Sequence, residues 1–326
     1  MKILGIGNAL LDVLLRLESD QTLSEIVINK GAMDLIDESK MREIQMVQAG
    51  LQRSEAPGGS ACNTMRALAR LGANVGYVGK VGYDAAGITY EIETARMGVK
   101  PYFIRTPGIS GCSTVLISPD GERTMATFLG PAATLSDDEI ADEVLSQYDC
   151  LYLEGYLIAN EALFLPILKR AKRMGLKIAL DLSNFNIVNG FKDLLKTVIP
   201  AYVDILFSNE SETEAYMGLP ANVAIDGIAK EVEISVVTVG KDGVWAKKGE
   251  NKIHHPAVSK LVVDTTGAGD NFAAGFLFGY SVHASLEQSV QIGSLLSGHV
   301  IEMVGAQIAE DRWEEILIKV EDILKK

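Results

Sequence analysis

Three cysteines in a chain of 326 residues are too few for a disulfide framework. Cys62, Cys112 and Cys150 are odd in number and widely spaced, with no C-x-x-C pair and no histidine cluster beside them, so a reduced, cytoplasmic setting is expected. Positive charge is also scarce. Against 43 Asp and Glu there are 30 Lys and Arg, and the resulting formal charge of −13 opposes binding to nucleic acid or to an anionic membrane surface. No stretch reaches the ~18 uninterrupted apolar residues of a membrane span. The opening Met1–Ile6 lacks the basic segment and cleavage site of a secretory signal, so neither spanning nor secretion is expected. Repeats, low-complexity tracts and Pro/Ser-rich linkers are missing too, which argues against independent domains in tandem. The four histidines, His254, His255, His283 and His299, have no metal-ligand spacing.

What is present is the balance of an ordinary globular chain, 48% apolar and 22% charged. Its length exceeds the usual single core of about 250 to 300 residues, so one large α/β domain with an elaboration is expected over residues 1–326. Short β-rich runs at Lys2–Ile6, Val75–Val78, Cys150–Leu153, Lys177–Asp181, Ile205–Ser208 and Ile234–Val239 alternate with helical patterns. That alternation predicts a three-layer α/β/α fold, a central mainly parallel sheet with helices on both faces. Ser60–Leu71 carries Ala61, Met65, Leu68 and Leu71 at helical spacing with Gly72 as a stop, and Ser136 with Glu139 reads as a capping box opening a helix toward Leu145.

Residues 99–128 differ. Tyr102–Arg105, Ser113–Ser118 and Arg123–Phe128 read as strands joined by the turn sequences TPGISG and SPDGE, without helices between them. Together with segments at about 12–18 and 32–36 they predict a small sheet projecting from the main domain as a lid.

The sharpest signal is DTTGAGDNFAAGF, Asp264–Phe276. A phosphate-bearing substrate of so acidic a protein needs a local positive site made of backbone N–H groups and metal. Gly267, Ala268 and Gly269 have little bulk, so the N–H groups at this presumed helix start can approach a phosphate closely. Asp270 in the first turn would then stand beside a transferring phosphoryl group, placed to accept the proton of an attacking hydroxyl.

This segment resembles the second signature of the ribokinase-like, or PfkB, family of carbohydrate and nucleoside kinases. PGGSACNTMRALARLG followed by YVGKVGYDAAG, Pro57–Gly87, is similar to the first signature, and the GNALLD opening, SNESE and VTVGKDGVW follow in family order. The resemblance implies an ATP- and Mg²⁺-dependent transfer to an alcohol of a small sugar or nucleoside, with Asp270 as catalytic base and Gly267, Ala268 and Gly269 as anion hole. It further implies that Asp12, Gly58, Gly59 and Asn63 bind the acceptor, Asp12 through a vicinal diol. Asn209 and Glu212 match the family's N-x-x-E motif, which organises magnesium and its waters, although an N-cap with a helical glutamate explains the same residues. Thr238, Gly240 and Gly243 resemble the nucleotide-side loop, and a hairpin turn at Lys241–Gly243 is an equal explanation. Arg123 resembles a lid arginine that contacts phosphate in adenosine kinases, against the alternative of an ordinary surface arginine. Asp264 resembles a residue that helps some members bind a monovalent cation such as K⁺, which leaves that requirement open. A homodimer joined through the lid is a further expectation.

Other classes fit less well. A nicotinamide-dependent enzyme needs a glycine fingerprint in its first strand-turn-helix unit, whereas Gly5 and Gly7 lead into another apolar run. A non-catalytic relative should have lost the base or the anion hole, and both are present. Among acceptors, the GNALLD opening and Ser60 resemble adenosine kinases more than ribokinases or fructokinases, which implies a nucleoside phosphorylated at its 5′-hydroxyl, with a free ketose or ribose-type sugar as the alternative.

Overall fold

The computed structural model describes residues 1–31, 33–47, 51–258 and 261–326. Fourteen strands occur among them. In chain order these are β1 (Ile3–Ile6), β2 (Leu10–Arg16), β3 (Met33–Leu35), β4 (Gln52–Gly58), β5 (Val75–Gly82), β6 (Lys100–Thr106) and β7 (Gly111–Ile117). The rest are β8 (Arg123–Phe128), β9 (Cys150–Glu154), β10 (Lys177–Asp181), β11 (Ile205–Asn209), β12 (Ile234–Thr238), β13 (Val244–Lys248) and β14 (Asn251–His255).

Nine strands build the main sheet in the order β14-β13-β12-β11-β10-β9-β1-β5-β6. From β12 to β6 every pairing is parallel, and only the β12–β13 and β13–β14 pairs at one edge are antiparallel. Strands β1, β5 and β9 are buried along their whole length, which is why they read as unbroken apolar runs: helices cover both faces. One core lies against the helices Ser60–Arg70, Ala268–Ser281 and Leu286–Val300, and a second against Phe164–Arg173 and Lys192–Tyr202 on the other face. All six runs read from the sequence as core strands are strands of this sheet.

Five strands form the lid, ordered β3-β8-β7-β2-β4. Strand β2 alternates, sending Leu11, Val13 and Leu15 into a small core of their own with Leu116 and Ala126, so that Asp12 lies on the opposite face. Two expectations are corrected. Tyr102–Arg105 is not a lid strand: it lies in β6, which pairs parallel to β5 after the helix Ala85–Arg96, a β-α-β crossover that places it at the edge of the main sheet. The lid instead gains β4, QRSEAPG, antiparallel to β2. Its polar residues and Pro57 give no strand signal, and a sheet edge tolerates both. Of the segment expected at 32–36, Ala32 lies outside the described residues.

The Ser136 capping box exists but opens a single 3₁₀ turn, Asp137–Glu139, and a separate short helix, Asp142–Leu145, follows. Arg170 donates to the carbonyls of Asp137 and Ile140 at 2.7 Å each, holding acceptors that a continuous helix would have used.

Candidate active site

The Ala268–Ser281 helix begins after Gly267, whose φ of +73° lies in the left-handed region. A Cβ at Gly267 would also meet Ala306 at 2.6 Å, so both backbone and packing call for glycine there. Gly269 is a different case. Its φ is unremarkable and a Cβ would meet no protein atom within 4 Å, which leaves the helix opening clear on that side. The Ala268 N–H is already given to the Thr265 carbonyl at 3.1 Å, and those of Gly269 and Asp270 have no acceptor among the described residues. An anion at this helix start would meet those two donors and the positive end of the helix dipole.

Asp270 is held from across the chain. Its Oδ1 accepts from Ser60 Oγ at 2.7 Å and its Oδ2 from Asn63 Nδ2 at 3.0 Å, both on the first turn of the Ser60–Arg70 helix. Burial raises its pKa above the usual carboxylate value, and these two hydrogen bonds oppose the rise. Asp12, on β2 opposite Ala56 and Ser113, stands near enough to feel the same charge: burial first, then Asp270, push it up to about 7 against the pull of Arg66. A Cβ on Gly58 would fall on the Asp12 carboxyl, so this glycine makes room for it. Gly59 follows as the residue before the Ser60 helix. Asp12, Gly58, Gly59, Asn63 and Asp270 are thus gathered where the lid meets two helix starts.

Beneath them Glu154, at the end of β9 and 1% exposed, ties these pieces together. Its Oε1 accepts from the backbone and side-chain nitrogens of Asn8 at 2.8 Å each, and its Oε2 from the Ala61 N–H at 2.9 Å. Burial pushes it to about 7 although all three bonds pull down. At the ends of the next strands come Asp181 on β10 and Asn209 on β11. Asp181 is raised well above its usual value by burial and by Glu212, Asp270 and Glu154.

Asn209 caps the Glu210–Met217 helix in a reciprocal box. Its Oδ1 accepts from the Glu212 N–H at 2.9 Å, while Glu212 accepts from the Asn209 N–H at 2.9 Å and from Nδ2 at 2.6 Å. The N-cap explanation of this pair is therefore realised. Glu212 is nonetheless buried and pushed to about 7. Thr238 ends β12, donating to the Ser208 carbonyl at 3.5 Å, and Gly240–Asp242 form the turn that leads through Gly243 into antiparallel β13. The hairpin explanation holds there too. These residues share only the end of the sheet with Asp270.

Arg123 opens β8 in the lid but faces neither Asp12 nor Asp270. Its Nη1 donates to Thr266 Oγ1 at 2.7 Å and lies 2.6 Å from Asp264 Oδ2, in the loop before the helix start. Asp264 also accepts from the N–H and Oγ1 of Thr266 through Oδ1 and from the Gly305 N–H through Oδ2. Sequence reasoning missed Asn8, Ser60 as a partner of Asp270, Glu154 and Asp181. Only the position of Glu154 and Asp181 at strand ends could have signalled them, since in open α/β sheets ligands collect there.

Comparison with known proteins bears on this arrangement. The pfkB family carbohydrate kinase model matches residues 26–313. A sugar kinase of Archaeoglobus fulgidus, itself uncharacterised, is 32% identical over 242 residues, 74% of this chain and 96% of its own. A probable sugar kinase from Rhizobium etli superposes with a TM-score of 0.87 at 30% identity, covering 99% of this chain and 98% of the other. Adenosine kinase from Sinorhizobium meliloti superposes with a TM-score of 0.84 at 31% identity, covering 98% of both.

Proposed function

Because the chain belongs to the pfkB family of carbohydrate kinases, we propose that it transfers the terminal phosphoryl group of ATP to the 5′-hydroxyl of a nucleoside, with Asp270 as general base. The observation that carries this is the clamp of Ser60 and Asn63 on Asp270 at an open helix start, within electrostatic reach of Asp12. The clamp fixes the carboxylate's orientation, and its raised pKa makes it a better proton acceptor than an exposed aspartate. Asp12 receives the acceptor's diol as a pair of hydrogen bonds, Asn63, Gly58 and Gly59 border the same space, and the free N–H groups of Gly269 and Asp270 face the transferring oxygens. Thr238, Gly240 and Gly243 border the nucleotide.

Burial and the charges of Glu212, Asp270 and Glu154 raise Asp181, and burial with Asp270 raises Glu154, a convergence of acidic groups that a hard cation and its waters would relieve. Asp181, Glu212 and Asn209 would hold Mg²⁺ through such waters. Bound with ATP, the ion would neutralise the phosphate oxygens. A monovalent cation at Asp264 is not part of this reading, because Thr266, Gly305 and Arg123 occupy both of its oxygens.

The GNALLD opening and Ser60 favour a nucleoside, as does the similarity to the Sinorhizobium meliloti adenosine kinase. A free ketose or ribose-type sugar is the alternative, supported by the relatives named as sugar kinases. Calorimetric titration against a panel of nucleosides and sugars decides between them. Asp270→Asn tests the chemistry: kcat should fall at least ~100-fold while ATP affinity hardly changes. Retention of more than about a tenth of the rate would remove Asp270 from the role, since general-base catalysis contributes at least that much.

A further inference from the structure

A second cleft, of about 420 Å³, opens beside the Ser60–Arg70 helix. Asn63, Arg66, Ala67 and Arg70 recur at the spacing of one helix face and form one wall, while Arg96, Ala306 and Trp313 belong to the others. Asp12, Gly58, Gly59, Gly269 and Asp270 do not line it, so it adjoins the space proposed for acceptor and phosphate only across Asn63, which borders both. In a chain of net charge −13, its lining sets three arginines against Glu93 and Glu310 and is locally positive.

One buried polar group in this lining is short of a partner, and a buried charge stands beside it. Arg66, 5% exposed, donates through Nη1 to the Pro57 carbonyl and through Nε to Met97 Sδ, and its charge bears on Asp12. Asn63, 8% exposed, spends its Nδ2 on Asp270, and its Oδ1 has no partner. Unmet groups of this kind are rare in native cores and costly, and a ligand is one way to satisfy them. The two outer arginines are in weak pairs. Arg70 reaches Glu310 at 2.5 Å over the Trp313 ring, and Arg96 stands 3.6 Å from Glu93 with its side chain 78% exposed. Exposed pairs are easily exchanged for a better anion.

We propose that this cleft binds a small hydroxylated phosphomonoester. The phosphate, with several oxygens and up to two charges, suits three guanidiniums better than a lone carboxylate does, and a ligand hydroxyl can donate to the orphan Oδ1 of Asn63. The volume falls within the ~300 to 1,000 Å³ of typical small-ligand sites. Such a ligand acts on Asp270 through Asn63, whose amide spans cleft and carboxylate. Asn271, also in the lining, adds a tie by donating to the carbonyls of Gly267 and Ala306 at 2.8 and 3.0 Å. Coupling of this sort is reciprocal, so Asp270 must influence the cleft's affinity in turn.

The test is calorimetric titration with glycerol 3-phosphate on protein saturated with a non-hydrolysable ATP analogue, which keeps the probe out of the phosphate position at Gly269. Only the saturation step rests on the kinase reading, and failure of the ATP analogue to bind, read in its own titration, is distinguishable from failure of the cleft to bind the probe. About one equivalent should bind, and Arg70→Gln with Arg96→Gln should weaken it at least ~10-fold while affinity for the ATP analogue stays unchanged. Asp270→Asn should shift the affinity severalfold through Asn63. Absence of binding, or equal binding to the double variant, overturns the site. Binding that ignores Asp270→Asn overturns the coupling.

Discussion

The guanidinium of Arg123 in the lid lies 2.6 Å from the Oδ2 of Asp264, in the loop that leads into the Ala268–Ser281 helix. One ion pair therefore joins the piece that would close over an acceptor to the piece that would hold a phosphate. Its side chains are 22% and 7% exposed, a partly desolvated setting in which such a pair is worth more than on the surface.

Arg123 also sits on Asp264 Oδ2, an oxygen that a monovalent cation held by Asp264 would compete for. Replacing K⁺ by Na⁺ should therefore change the wild-type rate by less than about twofold. Arg123→Ala frees an oxygen of Asp264 and cuts the link to the lid, so it should lower kcat/KM by about 10- to 100-fold, the scale of one charge-assisted contact, and part of the loss should return with K⁺. Steady-state rates in matched K⁺ and Na⁺ buffers make the comparison. A wild-type rate that collapses in Na⁺ would show that the arginine does not stand in for the ion.

The glycines of the helix start should separate by function. A Cβ at Gly269 would meet no atom within 4 Å beyond its chain neighbours and its own helix backbone, so the melting temperature of Gly269→Val should stay within a few degrees of wild type while the KM for ATP rises at least ~10-fold, because the side chain projects toward the space proposed for a phosphate. Gly267→Val, with a left-handed φ and Ala306 in its way, should be destabilised before any effect on ATP is seen. Thermal melts and ATP titrations of both variants read this directly. Normal ATP use by a folded Gly269→Val variant would move the phosphate elsewhere.

Stability should fall as pH rises through neutrality. Glu154 keeps its proton up to about 7 in the folded protein, whereas an unfolded glutamate loses it near 4.5. Between those values the native state binds more protons than the unfolded one, so the unfolding free energy declines with pH and levels off above 7. From pH 5.5 to 8 the loss from this one group is about 2 kcal/mol. His255 and His299, both depressed by burial, push the other way below about 6.5. Urea unfolding at the two pH values measures the net effect. Glu154→Gln should flatten the profile by roughly the same amount, and an unchanged slope would place the titration on another group.

The legible parts of this molecule are those whose residue types are forced locally. Strands covered on both faces must be apolar, so Ile3–Ile6 and Cys150–Glu154 announce themselves. Gly267 and Gly58 had to be glycine, and they frame Asp270 and Asp12. Edges hide: β4 is polar and carries Pro57, while β6, half-buried and next to a hairpin-like turn, passed for part of the lid. Glu154 and Ser60 hid for another reason. Their meaning lies in partners 146 and 210 residues away, Asn8 and Asp270, and no local pattern records such a meeting.

The acceptor is best tested at Asp12. Its carboxyl occupies the space that Gly58 leaves vacant, and burial, with a smaller push from Asp270 and against the pull of Arg66, raises its pKa to about 7. Gly58→Ala should displace that carboxyl and weaken the acceptor without touching ATP. Asp12→Ala should do the same more severely, by about 10- to 100-fold for two hydrogen bonds to a charged group. If those bonds go to a diol, a ribonucleoside should lose far more than its 2′-deoxy analogue, which offers only one hydroxyl of the pair. Only the ionised carboxyl can accept both bonds, so wild-type affinity for the ribonucleoside should strengthen as pH rises through 7 and the Asp12→Ala variant should lose that dependence. Calorimetry with both ligands at pH 6 and 8 contains every arm. Equal losses for the two nucleosides would rule out diol recognition by Asp12, and tight binding of a free ketose with no nucleoside binding would carry the function to the sugar.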